Sequence, residues 1–249
     1  VSAMAPDEHG DPLTSDAFYH ELAERYDADV AAERRPYLDA VDALVCRGRA
    51  APRRMLDIGC GPGVRGAGLA RRLGAGELWL ADSSAGMVRT AKRGVPWARV
   101  VRADLADAEQ CGERLPGGFD LITCLGNVLG HMPEKARVAA LRTVGALLAP
   151  GGSAVLDLNN RYNAAQYGVG AVAANMAKDL LGLGGGDYVT RRRVRGRVIA
   201  TPVHLTTPRE ARRLMARGGR TVRRTWFVHY ARGCPARGPL SGQIVMEVV

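Results

Sequence analysis

The chain has 249 residues, 47% of them hydrophobic, enough for one α/β domain with a full core and too few for a second catalytic domain. No apolar run approaches the ~20 residues that span a bilayer, and the polar, acidic start (Asp7, Glu8, Asp11, Asp16) is unlike a secretory signal, so a cytoplasmic protein with no membrane partner is expected. The net charge of +10 sits at one end: residues 188–249 hold 14 arginines and no lysine against only Glu210 and Glu247, while residues 1–187 hold 21 basic and 23 acidic residues.

In chain order, residues 1–13 read as unstructured, and a helix begins near Ser15 with Phe18, Leu22, Tyr26 and Val30 at helical spacing through Asp29. A second helix, Pro36 to Cys46, carries Leu38, Val41, Leu44 and Val45. Met55 to Gly66 then reads as a buried strand running into a glycine-rich turn, where Gly59, Gly61 and Gly63 alternate so that backbone can come within contact distance of a ligand. The following segment, Val64 to Leu73, is helical, and its first amides point at whatever anionic or polar group lies over the turn. Further strands are expected at Glu77–Asp82, around Ala98–Leu105, at Phe119–Cys124 and, after a helix from Glu134 to Leu148 and a Pro150–Gly152 turn, at Ser153–Leu158. Residues 159–206 exceed what a minimal sheet needs. They comprise a polar run (Asn159, Asn160, Arg161, Tyr162, Asn163), a helical lid from Ala164 to Leu183 ending in three glycines, and two strands turning near Arg195–Gly196. A helix from Pro208 to Arg217 and strands near Thr221–Tyr230 and Gln243–Val248 complete the chain.

Taken literally, Gly61, Gly63 and Gly66 with Asp82 about 20 residues on satisfy the dinucleotide-binding fingerprint, which would make the chain a dehydrogenase. Asp57 separates the readings: an acid inside the last turn of the strand suits a cationic cofactor. The pattern Asp57-x-Gly59-x-Gly61-x-Gly63 resembles motif I of the class I S-adenosylmethionine-dependent methyltransferases, and the later segments fall in that family's order. The loop Leu125–Met132 is similar to that of small-molecule members such as the glycine and sarcosine N-methyltransferases. The resemblance implies a Rossmann-like, seven-stranded, mostly parallel sheet flanked by helices, its last strand antiparallel. Residues 1–50 would form helices covering the cofactor, 51–158 the cofactor-binding core, 159–206 a substrate lid after the fifth strand, and 207–249 the C-terminal helix and strands of one domain.

It also implies S-adenosylmethionine as cofactor, with Asp57, Gly59, Gly61 and Gly63 framing methionine and ribose and Asp82, followed by Ser83, at the ribose hydroxyls. Asp104 and Leu105 would meet the adenine, Leu125 and Gly126 would lie beneath the sulfonium, and Tyr26 and Arg34 would reach the methionine end. Methyl transfer is an in-line displacement that needs alignment above all. His131 is the candidate base for an acceptor hydroxyl or acid, against the alternative that it merely precedes the helix after Pro133; Asn127 would orient substrate or cofactor. Asn159, Arg161 and Tyr162, at the carboxyl end of a parallel strand, are the candidate substrate contacts. Five cysteines without a C-x-x-C pair suggest neither a metal site nor a disulfide. The favoured partner is a small-molecule acceptor; the arginines at 191, 192, 193, 195 and 197 raise an RNA substrate or nucleic-acid binding as the alternative.

Overall fold

The computed structural model describes residues 12–24, 26, 34–194 and 197–249. Residues 1–11, Asp27, Asp29 and Val30 of the predicted first helix, and the predicted turn at Arg195–Gly196 lie outside these. In chain order the elements are α1 (Ser15–Leu22), α2 (Arg35–Cys46), β1 (Arg54–Ile58), α3 (Val64–Leu73), β2 (Glu77–Asp82), α4 (Ala85–Gly94), β3 (Arg99–Arg102), α5 (Ala108–Arg114), β4 (Phe119–Cys124) and α6 (Glu134–Leu147). There follow β5 (Leu148–Leu158), α7 (Ala164–Tyr167), α8 (Val169–Leu180), β6 (Asp187–Val194), β7 (Arg197–His204), α9 (Pro208–Arg217), β8 (Val222–His229), β9 (Cys234–Pro235) and β10 (Gln243–Val248).

The main sheet runs in the order β3-β2-β1-β4-β5-β10-β8-β9, with β1 to β5 parallel and β10 antiparallel to both neighbours. The predicted seven strands are therefore eight: β9, only two residues long, pairs with the end of β8 where the chain doubles back. Its turn packs on the start of α2, where a side chain at Gly233 would run into the Pro36 carbonyl. The β6–β7 hairpin forms a separate sheet. The predicted fifth strand also starts earlier, at Leu148, because Pro150–Gly152 is absorbed as an irregularity in register against β4, with no room for a side chain at Gly152 beside the Phe119 carbonyl.

Strands β1, β4 and β10 and the second half of β5 are buried on both faces, as a sheet covered by crossover helices requires, while β3, β8 and β9 toward the edges keep exposed residues. Leu56, Ile58, Ile122, Leu156 and Met246 face one way, against Cys111 of α5, Leu141 and Val144 of α6 and Leu214 of α9. Met55, Leu80, Leu121, Val155 and Val245 face the other, against Val41 of α2, Leu69 of α3 and Ala91 of α4. The same alternation sends Asp57 and Asp157 toward the α2 and α3 side. Strand order reverses between β1 and β4, and the loops after their carboxyl ends open the crevice where such sheets bind ligands. Among the described residues no helix is long and apolar enough to cross a membrane.

Gly63 joins the turn to α3 in a left-handed conformation (φ 79°), and a Cβ there would sit 2.7 Å from Leu80 Cδ1. Gly63→Ala combines a disfavoured backbone with overpacking and should destabilise the fold by roughly 2 to 4 kcal/mol. Urea denaturation checks this; a loss below 0.5 kcal/mol, on the order of a neutral surface change, would contradict the packing described.

Candidate active site

Two adjoining cavities lie over the crevice. The larger, about 580 Å³, is lined by Gly59, Gly61, Asp82, Ser83, Asp104 and Leu105 at one end and by Tyr19, Tyr26, Leu125, Gly126 and His131 at the other. The smaller, about 70 Å³, shares Tyr26, Gly59, Gly61, Leu125 and Gly126 and adds Arg34, Asp57 and Arg65. Gly59 and Gly61 thus form the shared wall, where a side chain at Gly59 would collide with Val128, 2.5 Å away.

Asp82 ends β2 and is almost buried. Its Oδ2 accepts the Gly61 N–H and its Oδ1 the Ser84 N–H, each at 2.9 Å, which ties the glycine turn to the second loop and leaves lone pairs facing the cavity. Asp57 accepts a hydrogen bond from the Thr123 hydroxyl at 2.6 Å, while its other oxygen lies against Gly66 of α3, where any Cβ would be 2.6 Å away. Burial pushes both carboxyls up to about 6, against the pull of the donors just named. At the opposite rim Asp104 is fixed through its own turn, Oδ1 accepting the Ala106 N–H at 2.9 Å, and buried Leu105 faces the same end.

The floor is set by Asp157 on β5. Its Oδ1 accepts the Gly126 and Asn127 N–H groups at 2.6 and 2.7 Å, and its Oδ2 accepts the Tyr37 hydroxyl at 2.9 Å. Asn127 adopts a left-handed backbone (φ 62°), is buried, and accepts the Asn159 N–H on its side-chain oxygen at 2.9 Å. It lines neither cavity; it holds the loop that does. The expected substrate contacts are also placed elsewhere: the buried Arg161 pairs with Asp179 of α8 at 3.0 Å, the Tyr162 hydroxyl donates to the same carboxylate at 2.6 Å, and neither they nor Asn159 lines either of these two cavities. A polar run after a strand signals hydrogen bonding without saying to what, and here it anchors α8.

His131 closes the far end of the large cavity, at the end of a short 3-10 turn (Val128–His131). Its Nδ1 lies 3.2 Å from the Pro202 carbonyl of β7, which can only accept, so Nδ1 carries the hydrogen and Nε2 accepts the Tyr19 hydroxyl at 2.9 Å. Burial lowers its pKa to about 4, so the ring is neutral at neutral pH; Tyr19 is pushed well above its ordinary value, chiefly by burial, and keeps its proton. Sequence reasoning missed Arg65, whose one sign was an arginine in the opening turn of α3. It bonds Asp42 of α2 at 2.8 Å, and its second terminal nitrogen is buried without a partner, as is Nε of Arg34. Of the arginine cluster, Arg191 and Arg193 are exposed on β6 and Arg195 lies outside the described residues; further along, Arg217 pairs with Glu134 and Arg224 with Glu247. Among the described residues no group of side chains could hold a metal ion.

Residues 55–152 match the family described as Methyltransferase domain. Over this stretch, from β1 to the beginning of β5, the chain is similar to a methyltransferase domain. A ubiquinone biosynthesis O-methyltransferase of Pseudomonas aeruginosa is 33% identical over 138 residues, 55% of this chain and 57% of that relative. The chain thus spans little more than half the length of the curated relatives it matches. The CcbJ methyltransferase from Streptomyces caelestis has the same fold with a TM-score of 0.66 at 17% identity, covering 92% of this chain and 96% of its own. The magnesium protoporphyrin IX methyltransferase of Synechocystis, solved with bound S-adenosylhomocysteine, superposes with a TM-score of 0.58 at 19% identity, covering 95% of each chain.

The crevice fits S-adenosylmethionine on its own residues. The small cavity offers two guanidinium groups with unsatisfied donors and one carboxylate, the complement of an amino acid's carboxylate and ammonium. Arg65→Gln should weaken S-adenosylhomocysteine binding about tenfold or more and leave 5′-methylthioadenosine, which lacks the carboxylate, within about twofold. Equal losses for both ligands in calorimetry would refute the assignment. Because a bound ammonium favours ionised Asp57, affinity for S-adenosylhomocysteine should hold above pH 6 and fall below about pH 6, where the free carboxyls take up protons; a flat profile would contradict that role.

Proposed function

We propose that this chain is an S-adenosylmethionine-dependent methyltransferase acting on an oxygen, or otherwise a nitrogen, of a small-molecule acceptor. The observation that carries the reading is the continuity of one cavity from the Asp82 and Asp104 end, past the glycine turn, to the Tyr19–His131 pair. When bound, the cofactor supplies an electrophilic methyl group on a sulfonium. Asp82 and Asp104 hold the nucleoside, while Arg34, Arg65 and Asp57 hold the methionine end, which fixes the direction in which the methyl points. Leu125 and Gly126 form the floor below it. Alignment of this kind can supply several kcal/mol, up to roughly 7 to 11, of the barrier reduction.

His131 Nε2 has no hydrogen of its own and accepts the Tyr19 hydroxyl. An acceptor hydroxyl that takes that place is held by the same lone pair and gives up its proton to Nε2 as the oxygen attacks. A buried imidazole is a weak base, so the reading favours an acidic oxygen such as a phenol or carboxylic acid. The O-methyltransferase activity named for the Pseudomonas aeruginosa relative points the same way. Asn127 acts by fixing the loop beneath the acceptor, and Asn159, Arg161 and Tyr162 by seating the lid. Five free thiols suit a reducing, cytoplasmic setting.

Labelled methyl donor offered with phenols, carboxylic acids and amines tests the reading. Transfer to an acidic oxygen is expected, and His131→Phe should lower the rate by about 100-fold with S-adenosylhomocysteine affinity nearly unchanged. Transfer only to amines, with His131→Phe fully active, would remove the histidine from the mechanism.

A further inference from the structure

His204 closes the β6–β7 hairpin. It stands opposite Asp187 across the first pair of the ladder, and both ring nitrogens meet carboxylates: Nδ1 lies 2.7 Å from Asp187 Oδ1 of β6 and Nε2 2.6 Å from Glu210 Oε1 of α9. Two carboxylates accept and neither donates, so both nitrogens must carry hydrogen and the ring is an imidazolium. Arg137 of α6 reaches the same Glu210 oxygen at 3.7 Å, and Glu210 also accepts the Thr207 N–H in the capping box of α9. The place for the ring is built: Gly186 packs so closely on it that a Cβ would overlap Cε1, and the Leu205 N–H donates to the Gly186 carbonyl at 2.7 Å. The hairpin base is thereby fastened to the body of the domain.

Two residues before His204 on the same strand is Pro202, whose carbonyl accepts Nδ1–H of His131. β7 packs on α1 and on the 3-10 turn that carries His131; Ile199 joins the apolar cluster of Phe18, Leu22 and Met87, and the Ala200 carbonyl accepts the Leu13 N–H at 2.7 Å. The position of β7 therefore decides whether that carbonyl stays within reach of His131.

We propose that His204 is a positioning residue for the acceptor site: by clasping Asp187 and Glu210 it sets β7, and through the Pro202 carbonyl it keeps His131 in the tautomer whose Nε2 faces the acceptor. The inference rests on the reading of His131 as the group that meets the acceptor. Burial pulls the His204 pKa down, but the bonds to Glu210 and Asp187 outweigh it and hold the ring above its ordinary value, with Arg137 opposing. The clasp is accordingly complete below the ordinary histidine pKa and loosens as pH rises through that raised value.

The test is nitrogen-15 NMR of the histidine rings in the full chain, with the His131 signals assigned by their absence in His131→Phe. The protein with His204 intact should show His131 hydrogen on Nδ1, shifting toward Nε2 as His204 deprotonates. His204→Gln and the milder Asp187→Asn, at an exposed carboxylate, should both move His131 toward the Nε2–H form at neutral pH. Each should leave S-adenosylhomocysteine affinity within about twofold, so that the acceptor KM and rate change while cofactor binding does not. Retention of the Nδ1–H form in both variants would overturn the proposal. Loss of cofactor binding in the protein with His204 intact would instead overturn the functional reading, and the tautomer result would still stand alone.

Discussion

One buried carboxylate, Asp157, organises the loop after β4. Asp157 on β5 receives two backbone N–H groups from the loop after β4 and the Tyr37 hydroxyl from α2, so three segments far apart in sequence converge on two oxygens. Its Oδ1 alone satisfies both adjacent amides in a loop bent by a left-handed Asn127, which leaves Oδ2 for the tyrosine. Losing those bonds would strand buried donors at about 1 to 3 kcal/mol each. The loop so fixed provides Leu125 and Gly126 as a floor and carries His131 a few residues on, while Tyr37 stacks on Tyr230 at 5.4 Å and orients α2, whose first residue follows Arg34. The site is assembled by hydrogen bonds at strand ends, and the apolar core beneath supplies rigidity.

The electrostatics of the crevice follow a single logic. Asp57 and Asp82 are held where burial resists their ionisation, and Arg34 and Arg65 where donors go unpaired. Each of these is costly in the free protein and is relieved by a ligand with matching charges. The structure thus carries its binding energy as unmet demand, concentrated in a few side chains, while the rest of the sheet obeys ordinary rules of burial. At the other end the Tyr19 hydroxyl meets the neutral acceptor nitrogen of His131.

Much of this was legible before any coordinates. Short continuous apolar runs flanked by glycine and acid gave the parallel strands β2 and β4 to the residue and the start of β1 to within one, because such runs report burial on both faces directly. Asp57, Asp82, Asp104 and the glycine turn stand out because they lie at strand ends, which sequence marks well, and the fold brings them to one crevice. What was not legible depended on distant contacts. β9 is two residues long and exists only because the turn at Gly233 meets α2. Arg65 sits in an opening turn that could face solvent, and only packing shows it turned inward toward Asp42. Arg161 and Tyr162 look like substrate contacts from composition, but their partner, Asp179, lies on a helix whose docking the sequence does not state. The two carboxylate partners of His204 likewise come from different elements, β6 and α9.

The central claim is that the glycine turn with its two acids holds a sulfonium nucleoside and not a dinucleotide. Calorimetric titration of the purified chain, freed of bound cofactor, with S-adenosylhomocysteine and with NADH tests it most directly. Micromolar binding of the first and none of the second is the predicted result. Binding of NADH, or failure of S-adenosylhomocysteine to bind, would contradict the account at its root.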